Sequence, residues 1–411
     1  MRNNNLAVSI EEALKIILNS ISPLTCENIS IMEACNRVLY EDIVSDIIIP
    51  PADDSAMDGY AVIAEDTLGA SINHPIKLQI TGEIQSGGSV NGKKVSRGTA
   101  IRIMTGAPMP EGADAVIKFE DAAEEDGYVN IFQETVKYKN YRFAGENIKK
   151  GDKVLRKGDR LSSVDVGILA SLNYNTVKVY KQPTVSIIST GDELADIGEE
   201  IRTGQIRNVN AYTIYSEVKK YNAIPYCLGI AKDTLKDMKE IFLKALKSDV
   251  VISTGGASMG RYDFVKDIYL ALDVEIQFEK VNVKPGKPVI FGKKDNQLFF
   301  GLPGNPVSTL TSFIQFVRPA LLRLMGANRI LKPIVNAFLE EDINKKSGRV
   351  NLLRGYATIK DNEFYVSTTG NQNSSVLTSM RDANCLIIIP ENTKVKAGEK
   401  VRIQLIEHEE I

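Results

Sequence analysis

Histidine is almost missing from this chain: His74 and His408 are the only two in 411 residues. Serine triads with an imidazole base, and zinc centres built on several imidazoles, are therefore not expected. Cysteine is nearly as scarce. Cys26, Cys35, Cys227 and Cys385 stand far apart with no C-x-x-C spacing, which argues for buried thiols in a reducing cytoplasm rather than a disulfide frame or a zinc site. No apolar run reaches the length of a membrane span, and the N-terminus lacks the apolar stretch of a signal peptide. Fifty basic against 52 acidic side chains leave a net charge of -2, so no basic field points to nucleic acid. The chemistry falls to carboxylates, lysines, hydroxyls and backbone amides.

What the chain has is an ordinary globular composition, 43% hydrophobic and 25% charged, and length for roughly two to four domains. Its clearest feature is a set of three glycine-bearing turns: Ser189-Thr190-Gly191-Asp192-Glu193-Leu194, Ser253 to Gly260 (with Gly255, Gly256 and Ser258), and Leu302-Pro303-Gly304-Asn305-Pro306-Val307-Ser308. Each follows a short apolar run: Val185 to Ile188, Val250 to Ile252, and Leu298 to Phe300. A strand feeding such a turn exposes N–H groups at its carboxyl end, where open α/β sheets bind ligands. Three of them on one sheet would converge on a crevice suited to a phosphate-bearing small molecule.

Around this centre the pattern changes. Ser9-Ile10-Glu11-Glu12 reads as a capping box opening a helix through Leu18. Residues 51–144 carry short strands with turn punctuation, a β-rich unit inserted between 1–50 and 145–178, with a helix from Ser163 to Leu172. From 179 to 327 strands alternate with helices: strands near 184–189, 224–230, 249–253 and 296–301, helices near 209–221, 234–247, 261–272 and 307–325. This predicts a parallel sheet covered on both faces, with Gly326 capping the last helix. Residues 328–411 turn β-rich again.

Carboxylates flank the turns: Asp192 and Glu193 after the first, Asp263 opening the helix after the second, and Asp233 after the strand ending near Ile230. Asp233 also reads as the N-cap of the helix that follows, and Asp263 as a complement to a helix dipole. Glu193 has no such structural duty, so a functional role is expected there. Lys280, Lys284 and Lys287 surround a Pro-Gly-Lys-Pro turn whose two prolines would hold the lysines in place for an oxyanion. Elsewhere, Pro51 to Ala61 packs three aspartates into a turn-rich stretch that reads blandly as a solvated loop. Gly87 to Lys94 is a near-miss to a phosphate loop and reads as a hairpin. Lys149 to Arg160 reads as solvated surface.

Together PPADDSAMDGYA, MTGAPMPEGADAV, GENIKKGD, STGDEL, STGGASMGRYDF, KPGKP and GLPGNPVS resemble, in order and nearly end to end, the MoeA family of molybdopterin molybdenumtransferases, which includes the E domain of gephyrin. The resemblance implies a multidomain α/β-plus-β chain: a discontinuous elongated domain (1–50 and 145–178), an inserted β domain (51–144), the α/β molybdopterin-binding domain (179–327) and a C-terminal β-barrel (328–411). It implies a cytoplasmic homodimer in which Asp58 and Thr105 of one subunit complete the cleft of the other. The implied reaction takes molybdate and adenylylated molybdopterin, uses Mg²⁺ to hydrolyse the adenylate, and places molybdenum on the pterin dithiolene. A molybdopterin adenylyltransferase and apo-molybdoenzymes or their chaperones are the implied partners. Carried over by position, Asp58, Thr105, Glu193, Asp233 and Asp263 are catalytic, with Glu193 and Asp263 on the metal. Gly191, Gly255, Gly256, Ser258, Lys280, Lys284, Lys287, Pro303, Gly304, Pro306, Ser308, Arg354 and Ser374 bind substrate. Two readings compete: a scaffold or receptor-binding protein of the same fold, and an adenylyltransferase, which usually consists of the α/β domain alone.

Overall fold

Alternating apolar residues build the central sheet. Its strands lie in the order Ile224–Ala231, Thr184–Thr190, Val250–Thr254, Gln297–Leu302, Ile290–Lys294, Glu275–Phe278. The first four run parallel, and the last two are antiparallel additions at one side. Val185, Ile187, Val250, Ile252 and Phe300 face the helix Val209–Lys220 and the C-terminal helical run. Ile188, Val251 and Phe299 face the opposite way, onto Leu235–Ala245 and Phe264–Ala271. This even–odd division is that of a strand buried on both faces. The computed structural model describes residues 7–255, 264–344 and 347–406.

The expected parallel sheet is thus extended by two strands that the sequence pattern does not announce. Both are short, and the turn joining Lys294 to Gln297 holds Asp295 at φ +52°, a tight hairpin connection. The helix expected near 307–325 is present as Pro306–Ser312 and Arg318–Leu324 joined by a wider π turn, Phe313–Val317. Pro319 has no N–H to return to the preceding turn, and the wider turn upstream accommodates that gap.

Past this sheet, five strands close on themselves in the order Val350–Lys360, Glu363–Thr368, Ile334–Leu339, Lys400–Leu405, Cys385–Ile389 and back to Val350–Lys360, the expected barrel. A two-residue strand, Val283–Lys284, runs parallel to the start of Val350–Lys360, pairing Lys284 with Asn351. Near the N-terminus, Ser9 caps the helix Ile10–Asn19 by accepting from the N–H of Glu12 at 3.0 Å. Strand Cys26–Ser30 pairs antiparallel with Thr176–Tyr180.

By contact density the chain separates into two units. One comprises the chain up to Glu41, Lys157–Gly167 and everything from Tyr174; the other comprises Asp42–Arg156 with Ile168–Asn173. The second holds a six-stranded sheet in the order Ala115–Lys118, Gly59–Val62, Thr99–Ile103, Ile76–Ile84, Tyr128–Ile131, Ala122–Glu125. Here Ile76–Ile84 and Thr99–Ile103 run parallel. The stretch from Gly87 to Lys94 is therefore no hairpin, because a hairpin joins antiparallel strands; it belongs to the loop that carries the chain back.

The cysteines also depart from expectation: only Cys385 is buried, whereas Cys35 and Cys227 are exposed. Among the described residues no helix is long and apolar enough to cross a membrane.

Candidate functional site

Three neighbouring parallel strands end in the glycine turns, at Thr190, Thr254 and Leu302. Gly191 donates to the carbonyl of Ala231 at 3.3 Å, and Gly255 to that of Leu302 at 3.2 Å. A Cβ on Gly255 would lie 2.5 Å from the carbonyl oxygen of Thr190, and one on Gly304 would lie 3.6 Å from the Cα of Gly255. The turns do converge, and they approach closely because side chains are absent. Asn210 reaches across to donate to the carbonyl of Gly304 at 2.7 Å. Pro303 is buried while Gly304 and Asn305 are exposed, and Pro306 opens the helical run without needing an N–H acceptor.

The carboxylates gather beside the first turn. Gly191 has φ +140°, and a Cβ there would sit 2.4 Å from Glu193 Oε2, so the Glu193 carboxylate lies over the glycine. Asp233 donates its N–H to Asp192 Oδ1 at 3.3 Å. Burial, then the negative charges of Asp192 and Glu193, raise the Asp233 pKa; the N–H of Asp192 pulls the other way. The N-cap reading of Asp233 is corrected: Thr234 caps Leu235–Ala245, accepting from the N–H of Asp237 at 3.1 Å. Asp233 is left facing its acidic neighbours. Among the described residues no three His, Cys, Asp or Glu side chains converge closely enough to hold a metal unaided. Asp263, Gly256 and Ser258 lie outside the described residues.

A cavity of ≈ 550 Å³ lies where the lysine turn meets the barrel, lined by Lys284, Lys287, Ser308, Arg354 and Ser374 together. Gly286, at φ +101°, allows the turn to lie close over the helix; a Cβ would come within 2.8 Å of Ser312 Oγ. Lys284 and Lys287 are exposed on either side of it. The N–H of Val307 donates to the carbonyl of Ser374 at 3.0 Å, which brings the two serines to one wall. Lys280 does not line this cavity; its carbonyl accepts from the N–H of Val8 at 3.1 Å.

Arg354 is the least expected member. It is 1% exposed, yet no carboxylate lies within ion-pair distance among the described residues. Its Nε donates to Ser379 Oγ at 3.0 Å and its Nη2 to the carbonyls of Asn371 and Asn373, both at 3.1 Å. Burial lowers its pKa to about 10, which still leaves a cation at neutral pH. A buried guanidinium without a carboxylate partner among the described residues, beside two lysines, gives a cavity whose chemistry suits an anion. Arg349 and Asn351 line it too and were not anticipated; the pairing of Lys284 with Asn351 that brings them in joins segments distant in sequence.

In the other unit, the aspartates of the Pro51 to Ala61 stretch are anchored rather than loose. Tyr141 and the N–H of Ala144 donate to Asp53. Arg142 Nε donates to Asp54 at 2.6 Å. Asp58 accepts from the N–H and hydroxyl of Thr105, and the Met104 to Pro108 segment is a tight turn closed by Ala107 N–H on the Met104 carbonyl at 2.9 Å.

Comparison with known proteins agrees along the whole chain. Residues 8–173 match the MoeA N-terminal region (domain I and II), residues 186–323 the "Probable molybdopterin binding domain", and residues 336–406 the MoeA C-terminal region (domain IV). The chain is 36% identical to a molybdopterin molybdenumtransferase of Staphylococcus epidermidis over 402 residues, 97% of this chain and 96% of that one. It is 36% identical to its Haemophilus influenzae namesake over 407 residues, 98% and 99% of the two chains. A crystal structure of the molybdopterin biosynthesis MoeA protein from Pyrococcus horikoshii OT3 superposes with a TM-score of 0.82 at 34% identity, covering 97% of this chain and 100% of that one.

Proposed function

The chain belongs to the MoeA family, and on that footing we propose that it inserts molybdate into adenylylated molybdopterin, in a Mg²⁺-dependent reaction that releases AMP. It is a transferase of molybdenum cofactor biosynthesis, as its curated relatives are. The observation that carries the finer reading is Arg354, buried with no carboxylate partner among the described residues, in a cavity that also holds Lys284, Lys287, Ser308 and Ser374. A tetrahedral dianion needs that combination of cations and hydroxyl donors.

The residues divide the work by chemistry. Lys284, Lys287 and Arg354 attract and neutralise molybdate, and the hydroxyls of Ser308 and Ser374 orient its oxygens. The backbone amides of the Gly191, Gly255–Gly256 and Gly304 turns hold the pterin phosphate, with Ser258, Pro303 and Pro306 shaping the turns and Lys280 adding charge nearby. Glu193 and Asp263 would hold Mg²⁺ and Asp233 would assist them; an ion that keeps most of its ligands from phosphate and water needs only one or two carboxylates. When bound, it supplies charge neutralisation on the phosphoanhydride. Asp58, kept ionised by Thr105, completes the cleft from the second subunit of a cytoplasmic homodimer. The four-part division at residues 50, 144, 178 and 327 is part of the same reading, as are an adenylyltransferase upstream and apo-molybdoenzymes or their chaperones downstream.

The test mixes the purified protein with adenylylated molybdopterin, Mg²⁺ and either molybdate or tungstate, following AMP release and metal retention together. Coupled AMP release and metal retention are expected. Metal retention without AMP release, or neither, overturns the reading in favour of a non-catalytic protein of the same fold.

A further inference from the structure

Arg160, Arg318 and Arg329 line a second cavity, of ≈ 560 Å³, which shares no residue with the lysine-turn cavity. None of the three has a carboxylate within ion-pair distance among the described residues. Arg318 is only 8% exposed. Its Nη1 donates to the carbonyl of Ile330 at 2.8 Å, and its guanidinium lies 4.9 Å from the centroid of the Tyr221 ring. Its Nε is buried without a hydrogen-bond partner among the described residues. Arg160 has one long bond, from Nε to the carbonyl of Asn36 at 3.4 Å. Although the residue is exposed, partial desolvation of its guanidinium, and further the like charge of Arg318, lower its pKa.

The frame around these arginines is built. Gly158 has φ +85°, and a Cβ on it would lie 2.4 Å from Asn328 Oδ1. Asn328 clamps that loop, donating its N–H to the carbonyl of Gly158 at 2.9 Å and its Nδ2 to that of Lys157 at 2.7 Å. Two acids share the wall. Asp165 Oδ2 already accepts from the N–H and hydroxyl of Ser162, both at 2.7 Å, and Asp159 is the other. Three guanidiniums against two carboxylates leave the lining positive.

We propose that this cavity binds a phosphate-class oxyanion, either inorganic phosphate or the phosphate of a small ester, between Arg160, Arg318 and Arg329. The forked N–H groups of arginine match tetrahedral oxyanions. The Nε of Arg318 is sealed from solvent, so the anion would be met by the Nη groups of Arg318 together with the guanidiniums of Arg160 and Arg329. The volume lies in the usual small-molecule range of roughly 300–1,000 Å³. The proposal is independent of the molybdate reading.

The experiment is calorimetric titration of the whole protein at low ionic strength with inorganic phosphate, with glycerol 3-phosphate, and with succinate as a carboxylate control. Three forms are compared: wild type, Arg160→Ala with Arg329→Ala, and Lys284→Ala with Lys287→Ala. All four substituted side chains are exposed, so the fold should persist, which the thermal midpoint checks. The arginine variant should bind phosphate at least tenfold more weakly at one site, while the lysine variant keeps that site. Tighter binding of the ester or of the free ion identifies the source, and either supports the site. Absence of phosphate binding in the wild type, an unchanged titration of the arginine variant, loss of all phosphate binding in the lysine variant, or preference for succinate overturns it. No pterin or molybdate enters the assay, so its failure is distinguishable from failure of the proposed reaction.

Discussion

Thr105 gives its backbone N–H, at 2.6 Å, and its hydroxyl, at 2.8 Å, to the same oxygen of Asp58. These bonds, the backbone one foremost, hold the exposed Asp58 carboxyl below the ordinary aspartate range. The stabilisation is present above the unfolded pKa and is lost as pH falls through the depressed folded value. Thr105→Val keeps the amide and removes the hydroxyl. The Asp58 titration should then move up towards the ordinary range, and the acid limb of the pH–rate profile should move with it. Carboxyl NMR titration of both forms measures this, and an unmoved midpoint would assign the whole effect to the amide.

Gly191 and Glu193 should separate backbone geometry from charge. Gly191→Ala places a Cβ at φ +140° and against the Glu193 carboxylate, so a stability loss of about 1–3 kcal/mol is expected along with lost AMP release. Glu193→Gln alters an exposed, nearly isosteric group and should abolish AMP release with little change in thermal midpoint. A large drop in the midpoint of Glu193→Gln with retained turnover would make Glu193 structural.

Asp233 carries the opposite pH signature to Asp58. Its folded pKa is raised, so the native state holds the proton more tightly than the unfolded chain does. Stability therefore falls as pH climbs from about 3.8 through the raised value. Asp233→Asn removes that loss. The variant should be more stable than wild type at neutral pH, and the gap should close below the ordinary aspartate range. Denaturant unfolding at the two pH values decides it; equal stability at neutral pH would refute the assigned cause.

Lys284→Ala should raise the molybdate requirement at least roughly tenfold, equivalent to about 1.4 kcal/mol. Pterin affinity should change less if, as proposed, the glycine turns carry it. A molybdate titration beside a direct molybdopterin-binding measurement tests both halves. Unchanged molybdate dependence with lost pterin affinity would move Lys284 to the pterin phosphate.

At molybdate concentrations too low to support Lys284→Ala, Asp58→Ala and Lys284→Ala should complement each other. In a mixed dimer one hybrid cleft has Asp58 from one subunit and Lys284 from its partner, both intact. Activity recovered on subunit exchange supports a shared cleft, and no recovery in verified heterodimers counts against it.

The glycine turns were legible in sequence because β-branched and aromatic runs lead into residues that tolerate close backbone approach. Gly191, Gly255 and Gly304 sit where that logic puts them. The sequence reads Asp233 as the cap because aspartate suits that position; threonine suits it too, and only the bond from the Asp237 N–H to the Thr234 hydroxyl shows which residue is used. The strands Glu275–Phe278 and Ile290–Lys294 escape the sequence pattern because charged residues, Glu275 in one and Lys293 and Lys294 in the other, break their apolar runs, and no glycine turn leads from either into a helix. Arg354 follows the apolar pair Leu352-Leu353 in the strand Val350–Lys360, in a way that resembles an exposed position; only the family resemblance flags it. Arg160 was read as solvated surface within a basic stretch, because the facing Arg318 arrives from a distant helix.

The two-residue pairing of Val283–Lys284 with Val350–Lys360 ties the lysine turn to the barrel rather than to the sheet that precedes it. The first two glycine turns are held within the sheet, and the third takes a single backbone bond from the barrel side, Val307 N–H to the Ser374 carbonyl, whereas the arginine and the asparagine loop facing the lysines are made of the barrel. On the proposed division of roles, a chain ending before the barrel would keep the amides assigned to an organic phosphate and lose the wall assigned to an inorganic anion. Appending such a barrel is thus a route by which a one-ligand receptor acquires a second reactant and becomes a device for joining the two.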